Sequence, residues 1–458
     1  MTYELSANGA AAAGDPGDVR KWKEELTASP YRSYLYSYPH KTAYSELERP
    51  IPLSGMWKDE PAETFFLYMH IPFCGARCGF CNLFTLPDKR QSAHEQYVDA
   101  LERQARQWAL LVKHKPFARF AIGGGTPTLL APALLKRLFA IAGDTMGLDS
   151  SQASISVEAS PETVTEERLH ILKENRVDRV SMGIQSFVES EAAAIYRPQM
   201  PEEAERAAEL LKQFAFPILN LDLIYGLPGQ TLDSWMYSLG RAISYKPEEI
   251  FIYPLYTREH TIVKPEQIRQ SGADNRLVFY EAARSRLLAE GYAQYSMRRF
   301  ARSGAFAGKS LLPYGCQEEG MVGLGCGARS YTRSVHYASQ YGVSRSATAS
   351  IIADYVAAER YDTANYGFVL NESEQKRRFL LKAILHVEGL PVADYAQRFG
   401  SEVLDDHPEL QLLLDSGLGL LQDDILQLTD EGLAYSDAIG DWLISPEVRQ
   451  RMEGFVLA

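Results

Sequence analysis

The sequence predicts an α/β protein built on a parallel sheet covered by helices. Three observations point there: six short apolar segments recur along the first 255 residues, stretches of helical periodicity separate them, and the distinctive polar groups fall at their C-terminal ends. Strict strand-helix alternation with mostly apolar strands is the pattern of a parallel sheet, closed as a barrel or open and doubly wound. Periodicity does not choose between the two. Both architectures place ligands at the C-terminal ends of the strands.

The expected strands are Phe65 to His70, Phe117 to Ile122, Ala153 to Val157, Arg179 to Ile184, Ile218 to Leu223 and Glu249 to Tyr253. After the first, Ser92-Ala93-His94-Glu95 reads as a capping box, and Val98, Leu101, Ala105, Trp108 and Val112 form the apolar face of the helix it opens. Leu129 to Leu148 is the most apolar helix candidate; Lys136, Arg137 and Asp144 interrupt it, so no membrane span is expected. After the third strand, Ser160-Pro161 and Thr165-Glu166-Glu167 supply helix starts, Leu169 and Leu172 an apolar face, and Asn175 a left-handed stop. The strand ends then carry, in order, Pro72 to Cys81, Gly123-Gly124-Gly125-Thr126-Pro127-Thr128, Glu158, Gln185, Asp222, and Tyr253 to Tyr256.

From Thr257 to Gln340 the pattern loosens into a helix (Asp274 to Glu290), a Tyr/Arg-rich stretch (Tyr292 to Arg302) and a Gly-rich stretch (Gly320 to Gly327), which read as an accessory lid. From Asn371 short helices lead to Leu418 to Leu428 and Thr429-Asp430-Glu431-Gly432, the helix-helix-ribbon order of a winged-helix-like module. Residues 371 to 458 hold seven basic and 17 acidic side chains, which argues against duplex binding there. Lys376-Arg377-Arg378 is expected to be a solvated helix face.

Composition agrees with a globular protein. The 458 residues suit two or three domains, or one large barrel with additions. Hydrophobic residues at 46% and charged residues at 23% exclude a disordered or fibrous chain. The net charge of −12 disfavours nucleic acid and anionic membrane surfaces as partners. Met1 to Asp18 lacks the basic start and apolar block of a signal peptide and reads as a frayed arm, so the expected location is the cytoplasm. Five cysteines are too few for a disulfide scaffold, and three of them, Cys74, Cys78 and Cys81, lie within eight positions.

That cysteine loop follows the first strand directly, and its three soft ligands form an incomplete shell. Structural zinc takes four ligands, so zinc here needs a distant partner such as Cys316 or Cys326, since His94 is explained by the capping helix. A four-iron cluster on three cysteines leaves one iron open to a chelating ligand. Taken singly, the remaining groups have plain readings: Gly-Gly-Gly-Thr as a turn, Glu158 as a surface carboxylate, Gln185 and Asp222 as polar strand ends, Arg197 as a surface ion pair, His70 as a packing residue or a group tuning a cluster through a hydrogen bond, Cys316 and Cys326 as buried or lid thiols. Tyr253, Tyr256, Tyr292, Tyr295 and Tyr314 read as core unless several flank a flat ligand.

Taken together, Tyr68-Met69-His70-Ile71-Pro72-Phe73-Cys74 leading into C-x3-C-x-Phe-C, Gly-Gly-Gly-Thr-Pro-Thr, Ser-Met-Gly-Ile-Gln-Ser-Phe (181 to 187) and Asp-Leu-Ile-Tyr-Gly-Leu-Pro-Gly-Gln-Thr (222 to 231) resemble the radical S-adenosylmethionine (SAM) superfamily. Within it the match is to the HemN-like branch, typified by oxygen-independent coproporphyrinogen III oxidase. The resemblance spans roughly 65 to 255 and continues more weakly through Phe300-Ala301-Arg302, Gly323-Leu324-Gly325 and the C-terminal module.

The resemblance implies a partial (β/α)6 radical SAM barrel with an accessory lid region and a C-terminal winged-helix-like α+β module. Its division would be 1–60 arm and extension, 61–256 barrel core, 257–370 lid and 371–458 module. It implies a [4Fe-4S] cluster on Cys74, Cys78 and Cys81, with the open iron binding the amino and carboxylate groups of SAM. One electron, from a donor such as flavodoxin or ferredoxin, then yields methionine and a 5′-deoxyadenosyl radical. By position, Tyr68, Gly124 and Glu158 match residues that hold this SAM, and Phe80, Gly125, Thr126, Gln185, Arg197 and Asp222 match residues lining a second SAM site, so one or two SAM molecules are implied. The oxidase carries a further cysteine two positions after the third ligand; here Cys81 is followed by Asn82 and Leu83. Arg298 and Arg299 lie where contacts to a carboxylate-rich substrate are expected. Three functions follow: a radical SAM enzyme on a small-molecule or peptide substrate, including a methyltransferase using both SAM sites; the oxidase itself; and a HemW-like heme chaperone that keeps both sites without catalysis. The resemblance leaves the catalytic residues and the oligomeric state undefined.

Overall fold

The structure is a computed structural model and describes residues 16–32, 34–257, 261–263, 274–304, 319–342 and 344–455. Contacts divide the chain into two compact units. One consists of Ser45–Ala293 and Phe300–Val369; the other of the segment ending at Tyr44, Gln294–Arg299 and Leu370–Phe455. The boundaries expected at 60, 256 and 370 are a linear division, whereas each unit is assembled from separated segments.

The first unit is organised by six strands: β1 (Phe65–Ile71), β2 (Phe117–Gly124), β3 (Ser154–Ala159), β4 (Arg179–Gln185), β5 (Ile218–Tyr225) and β6 (Glu249–Pro254). They are neighbours in that order and all parallel. A doubly wound sheet reverses its strand order part-way; this one winds in a single direction, as a barrel does. The wall does not close. On the outer side of β1, Met321–Leu324 pairs in parallel, with Val322 beside Leu67 and Leu324 beside Met69. Antiparallel strands Arg329–Tyr331, Val335–Ala338, Thr363–Val369 and Ser45–Pro52 then follow in turn. The Gly-rich stretch expected as part of a lid is therefore a sheet extension. Met321, Val322, Gly323 and Leu324 are all buried, which a solvent-facing lid would not allow.

Local chemistry explains where the helices begin and end. The helix Gln91–Val112 buries Val98, Leu101, Ala105, Trp108 and Val112 as its periodicity requires. It starts before Ser92, so Ser92 is not its cap. Asp88 accepts the Arg90 backbone N–H at 2.8 Å and grips the Arg90 guanidinium, fixing the turn one step earlier. Thr165 does cap Glu166–Glu174, whose Leu169 and Leu172 are buried. The left-handed residue after that helix is Arg176 (φ 58°), one place beyond Asn175. Within Leu129 to Leu148 the α-helix runs only over Pro132–Ala140 before a wider turn at Ile141–Thr145. Among the described residues no helix is long and apolar enough to cross a membrane.

In the second unit, Pro16–Thr27 is a helix that already includes Asp18; the rest of the expected arm lies outside the described residues. Asn371 caps Glu372–Ile384 by accepting the Glu374 N–H. Helices Val392–Phe399, Val403–Asp406 and Leu410–Asp415 follow, then a ribbon of Gly419–Gln422 and Ile425–Leu428 with Leu390–Pro391 on the other side of the second ribbon strand. This is the winged-helix-like arrangement. Lys376-Arg377-Arg378 is not a solvated face: Lys376 pairs with Asp406 at 3.1 Å, Arg377 with Glu409 at 2.9 Å, and Arg378 is 4% exposed. Nor is Arg298 available to a ligand. It is buried against Asp437 and lies over the Tyr34 ring, while Arg299 is buried over Tyr295.

Candidate functional site

The cysteine loop begins where β1 ends. Phe73–Cys74 runs parallel to Leu86–Pro87, and the Leu86 N–H donates to the Pro72 carbonyl at 2.7 Å, which closes the loop at its base. At its tip the Gly79 N–H donates to the Ile195 carbonyl (2.7 Å), and the Gly79 carbonyl accepts from Ile262 and Val263. Cys74, Cys78 and Cys81 are half-buried and free of disulfides.

The end of β2 is docked onto this loop. The Gly125 N–H donates to the Ile71 carbonyl and the Thr126 N–H to the Phe73 carbonyl, each at 2.7 Å. A Cβ at Gly125 would stand 2.4 Å from the Phe73 oxygen and 2.9 Å from the Cys74 Sγ, so only glycine permits the approach. The Thr126 hydroxyl donates toward the Cys74 Sγ at 3.9 Å. Gly124, at φ +111°, covers the His70 ring, whose Nε2 is 2.9 Å from the Phe84 carbonyl and whose Nδ1 is 3.3 Å from the Tyr68 hydroxyl.

From the neighbouring strands come the acidic and basic groups. Glu158 lies against Gly123 and accepts the Gly124 N–H at 3.0 Å. Gln185 closes β4 at φ +69°, beside a register shift between Gly183 and Gln185, and its side chain folds back over Gly183. Arg197 is not a surface ion pair. It donates to the Gly183 carbonyl (2.5 Å), the Gln199 side chain (2.8 Å) and the Cys78 Sγ (3.5 Å), tying β4 to the cysteine loop. Asp222 is the fifth of eight residues of β5 and so lies inside the strand, not at its end as expected. Phe80 packs on the apolar group Ile195, Ile224, Leu227, Leu255 and Val263, as does Tyr253.

Sequence reasoning missed the polar layer beneath these groups. Ser156 and Glu158, Arg179 and Ser181, Asn220 and Asp222 alternate along β3 to β5, with Glu249 opening β6. Arg179 and Glu249 form a buried ion pair at 2.7 Å, and Ser181 and Asn220 both donate to Asp222. Strands covered on both faces read as continuous apolar runs, so polar residues at alternate positions in three successive strands, with Glu249 at the start of the next, were the available signal. Tyr97 was missed too. It is buried and donates to the His70 carbonyl at 2.8 Å, with the Cys326 thiol 3.8 Å from its hydroxyl. Cys326 is thus a buried thiol; Cys316 and Tyr314 lie outside the described residues. Tyr292 is core, its hydroxyl on the Pro247 carbonyl.

Burial sets the electrostatics. It pushes the Cys74 thiol up to about 12, with the Cys81 and Cys78 charges adding to the effect and the Thr126 hydroxyl opposing it. Cys81 is raised by burial and by Cys78. Three thiolates here repel one another unless cations sit among them, which is the condition an iron-sulfur cluster meets. Among the described residues no group of three or more His, Cys, Asp or Glu side chains is arranged to hold a single metal ion. Glu158 is raised to about 7 by burial and by Asp222, with the Gly124 N–H and Arg179 pulling the other way. Burial also raises Asp222, against Arg179, Asn220 and Ser181.

A singly wound partial barrel with a three-cysteine loop at its mouth defines a class, and sequence comparison agrees: residues 68–240 match the radical SAM superfamily, to which the chain belongs. Residues 370–435 match the HemN C-terminal domain. Within the superfamily its relatives are heme chaperones and coproporphyrinogen oxidases, so it is a member of the HemN-like branch. It is 30% identical to the heme chaperone HemW of Escherichia coli over 269 residues, 57% of this chain and 68% of that protein. Against HemW of Bacillus subtilis the identity is 27% over 82% of this chain and 98% of the relative. Against the oxygen-independent coproporphyrinogen III oxidase of Cereibacter sphaeroides it is 33% over 52% and 54%. The solved coproporphyrinogen III oxidase HemN from Escherichia coli, described as a radical SAM enzyme, superposes with a TM-score of 0.76 at 24% identity over 90% of this chain and 96% of that one. It shares the fold.

Proposed function

We propose that this chain is a radical SAM enzyme of the HemN-like branch, acting on a porphyrin-related or methyl-accepting substrate. Cys74, Cys78 and Cys81 hold a [4Fe-4S] cluster in this reading. Tyr68, Gly124 and Glu158 hold the SAM bound to it, and Phe80, Gly125, Thr126, Gln185, Arg197 and Asp222 line a second ligand site. When bound, the cluster and SAM supply a one-electron cleavage that gives methionine and a 5′-deoxyadenosyl radical.

The observation that carries the reading is the docking of the β2 end on the cysteine loop: Gly125 leaves no room for a side chain against Cys74, and Thr126 donates to the same sulfur. The chain's own residues then do three things. Thr126 and Arg197 direct hydrogen-bond donors at the sulfurs of Cys74 and Cys78, and both favour the charged form of Cys74. Glu158, set by the Gly124 N–H, presents a carboxyl able to accept from a ligand's amine or hydroxyl. The apolar group around Phe80 and Val263 excludes water beside Gly79. The electron comes from a flavodoxin- or ferredoxin-like donor in the cytoplasm, and neither nucleic acid nor membrane has a part.

A heme chaperone is the second reading, favoured by similarity to HemW over nearly the whole length of the Bacillus subtilis protein. Anaerobic reconstitution followed by dithionite and SAM separates the two. An enzyme yields 5′-deoxyadenosine and methionine in equal amounts; a protein that assembles the cluster and binds heme but cleaves no SAM is a chaperone. Loss of carbon dioxide from coproporphyrinogen III identifies the oxidase.

A further inference from the structure

Beneath the candidate ligand groups, β4 and β5 grip one carboxylate from below. Asn220 Nδ2 donates to Asp222 Oδ1 at 2.8 Å, Ser181 Oγ donates to Asp222 Oδ2 at 3.1 Å, and Asn220 Nδ2 also donates to Ser181 Oγ at 2.8 Å. Each carboxylate oxygen thus has one donor from the barrel floor, and the two donors are themselves linked.

The amide orientation follows from the chemistry. Turned over, Asn220 would set its own carbonyl oxygen against an ionised carboxylate, so the amide points its NH2 there. The consequence is that Asn220, fully buried, leaves its Oδ1 with no hydrogen-bond partner among the described residues. A buried unmet acceptor is costly, and a residue kept at that cost is kept for its donors. From this network we infer that Asn220 and Ser181 are positioning residues that fix the Asp222 carboxylate with its remaining lone pairs free for a ligand donor, an ammonium or a hydroxyl. The inference rests on the assignment of Asp222 to the second ligand site.

Charged groups face Asp222 from three strands. Glu158 on β3 repels a charge on it, Arg179 on β4 attracts one, and Glu249 on β6, paired to Arg179, repels it. The donors of Asn220 and Ser181 favour the ionised form. Removing one raises the pH needed to ionise Asp222, so a cationic or hydroxylic ligand is lost first at low pH and recovered as pH rises.

The test is equilibrium dialysis of labelled SAM against the anaerobically reconstituted protein between pH 6 and 9, with cluster absorbance as the check on folding. Asp222→Asn should remove one binding event. Ser181→Ala, which deletes a single hydroxyl, and Asn220→Ser should weaken that same event about tenfold at pH 6.5 and much less at pH 9, leaving the cluster spectrum unchanged. Ser181→Thr, which keeps the hydroxyl, should retain affinity. If Asp222→Asn binds as the native protein does, the assignment of Asp222 fails. If Asp222→Asn loses binding while Ser181→Ala and Asn220→Ser do not, or if they lose it equally at every pH, the positioning role is overturned.

Discussion

Two enclosed carboxyls, Glu158 in the barrel and Glu409 in the C-terminal module, are driven in opposite directions. Burial raises both. At Glu158 the nearby Asp222 adds to it, and a single backbone N–H and the shared Arg179 leave the group at about 7. At Glu409 the effect of burial is overcome by His407, whose Nδ1 is 3.6 Å away, and by the Arg377 guanidinium at 2.9 Å, which hold it at about 2. Elsewhere in the module buried or half-buried cations also meet carboxylates, as Arg298 does with Asp437 and Lys376 with Asp406. In the barrel wall Arg179, paired with Glu249, is also shared with Glu158 and Asp222, and under the proposed function a ligand donor would complete that balance.

The sharpest break of this contrast is at the cysteines. Cys78→Ala should abolish the cluster absorbance and bound iron and sulfide of the reconstituted protein, with little effect on thermal unfolding of the cluster-free chain. Retained iron at native stoichiometry would remove the ligand assignment. The module should answer the other way. Asp437→Ala removes a buried carboxylate from the Arg298 guanidinium and should cost about 3 kcal/mol in denaturant unfolding, while the cluster content of the folded fraction stays native.

The carboxyl pair gives a smaller and signed effect. Glu158 has a folded value above its ordinary 4.5, so its contribution to stability is complete below about pH 4.5 and is lost as pH rises through 7. Glu409 has a depressed value, so its contribution is present above 4.5 and lost as pH falls toward 2. Between pH 5 and 8 the cluster-free protein should lose on the order of 2 kcal/mol that Glu158→Gln does not lose. Glu409→Gln should flatten only the acid limb. Parallel urea-midpoint profiles for the native chain and Glu158→Gln would show that the barrel carboxyl ionises freely and that the contrast is absent.

Legibility followed the reach of each interaction. The six strands, the cysteine loop and the Gly-Gly-Gly-Thr turn were readable because their chemistry lies within a few residues, and β1 to β6 match the expected segments with ends extended by one or two places. Placement of Met321–Leu324 beside β1 was not readable, since an apolar run of four carries no address for a partner more than 250 residues away. The same holds for Arg298, whose partner Asp437 is 139 residues distant. Position in the resemblance suggested ligand contact at Arg298, charge suggested solvent at Lys376-Arg377-Arg378, and tertiary pairing overrode both. The alternating polar residues of β3 to β5 were present in the sequence, but two polar positions per strand do not by themselves distinguish an internal layer from a polar strand end.

The weakest expected effects compare backbone strain in the two regions. Asp423 and Asp424 join the module's ribbon strands at φ +52° and +60°, the left-handed pair of a type I′ turn that favours glycine at its second place. Gln185 holds φ +69° at the end of β4. Asp424→Gly should raise stability by less than about 1 kcal/mol, because relief of the left-handed strain is partly offset by the greater freedom of glycine in the unfolded chain. The Asp424 carbonyl still accepts from the Val392 N–H, so the ribbon is kept. Gln185→Gly should relieve similar strain but also remove an amide from the candidate ligand site. SAM dialysis distinguishes the two: affinity unchanged for Asp424→Gly and reduced for Gln185→Gly means the barrel keeps its strained residue for a ligand. Equal affinity in both would make Gln185 as purely structural as the turn in the module.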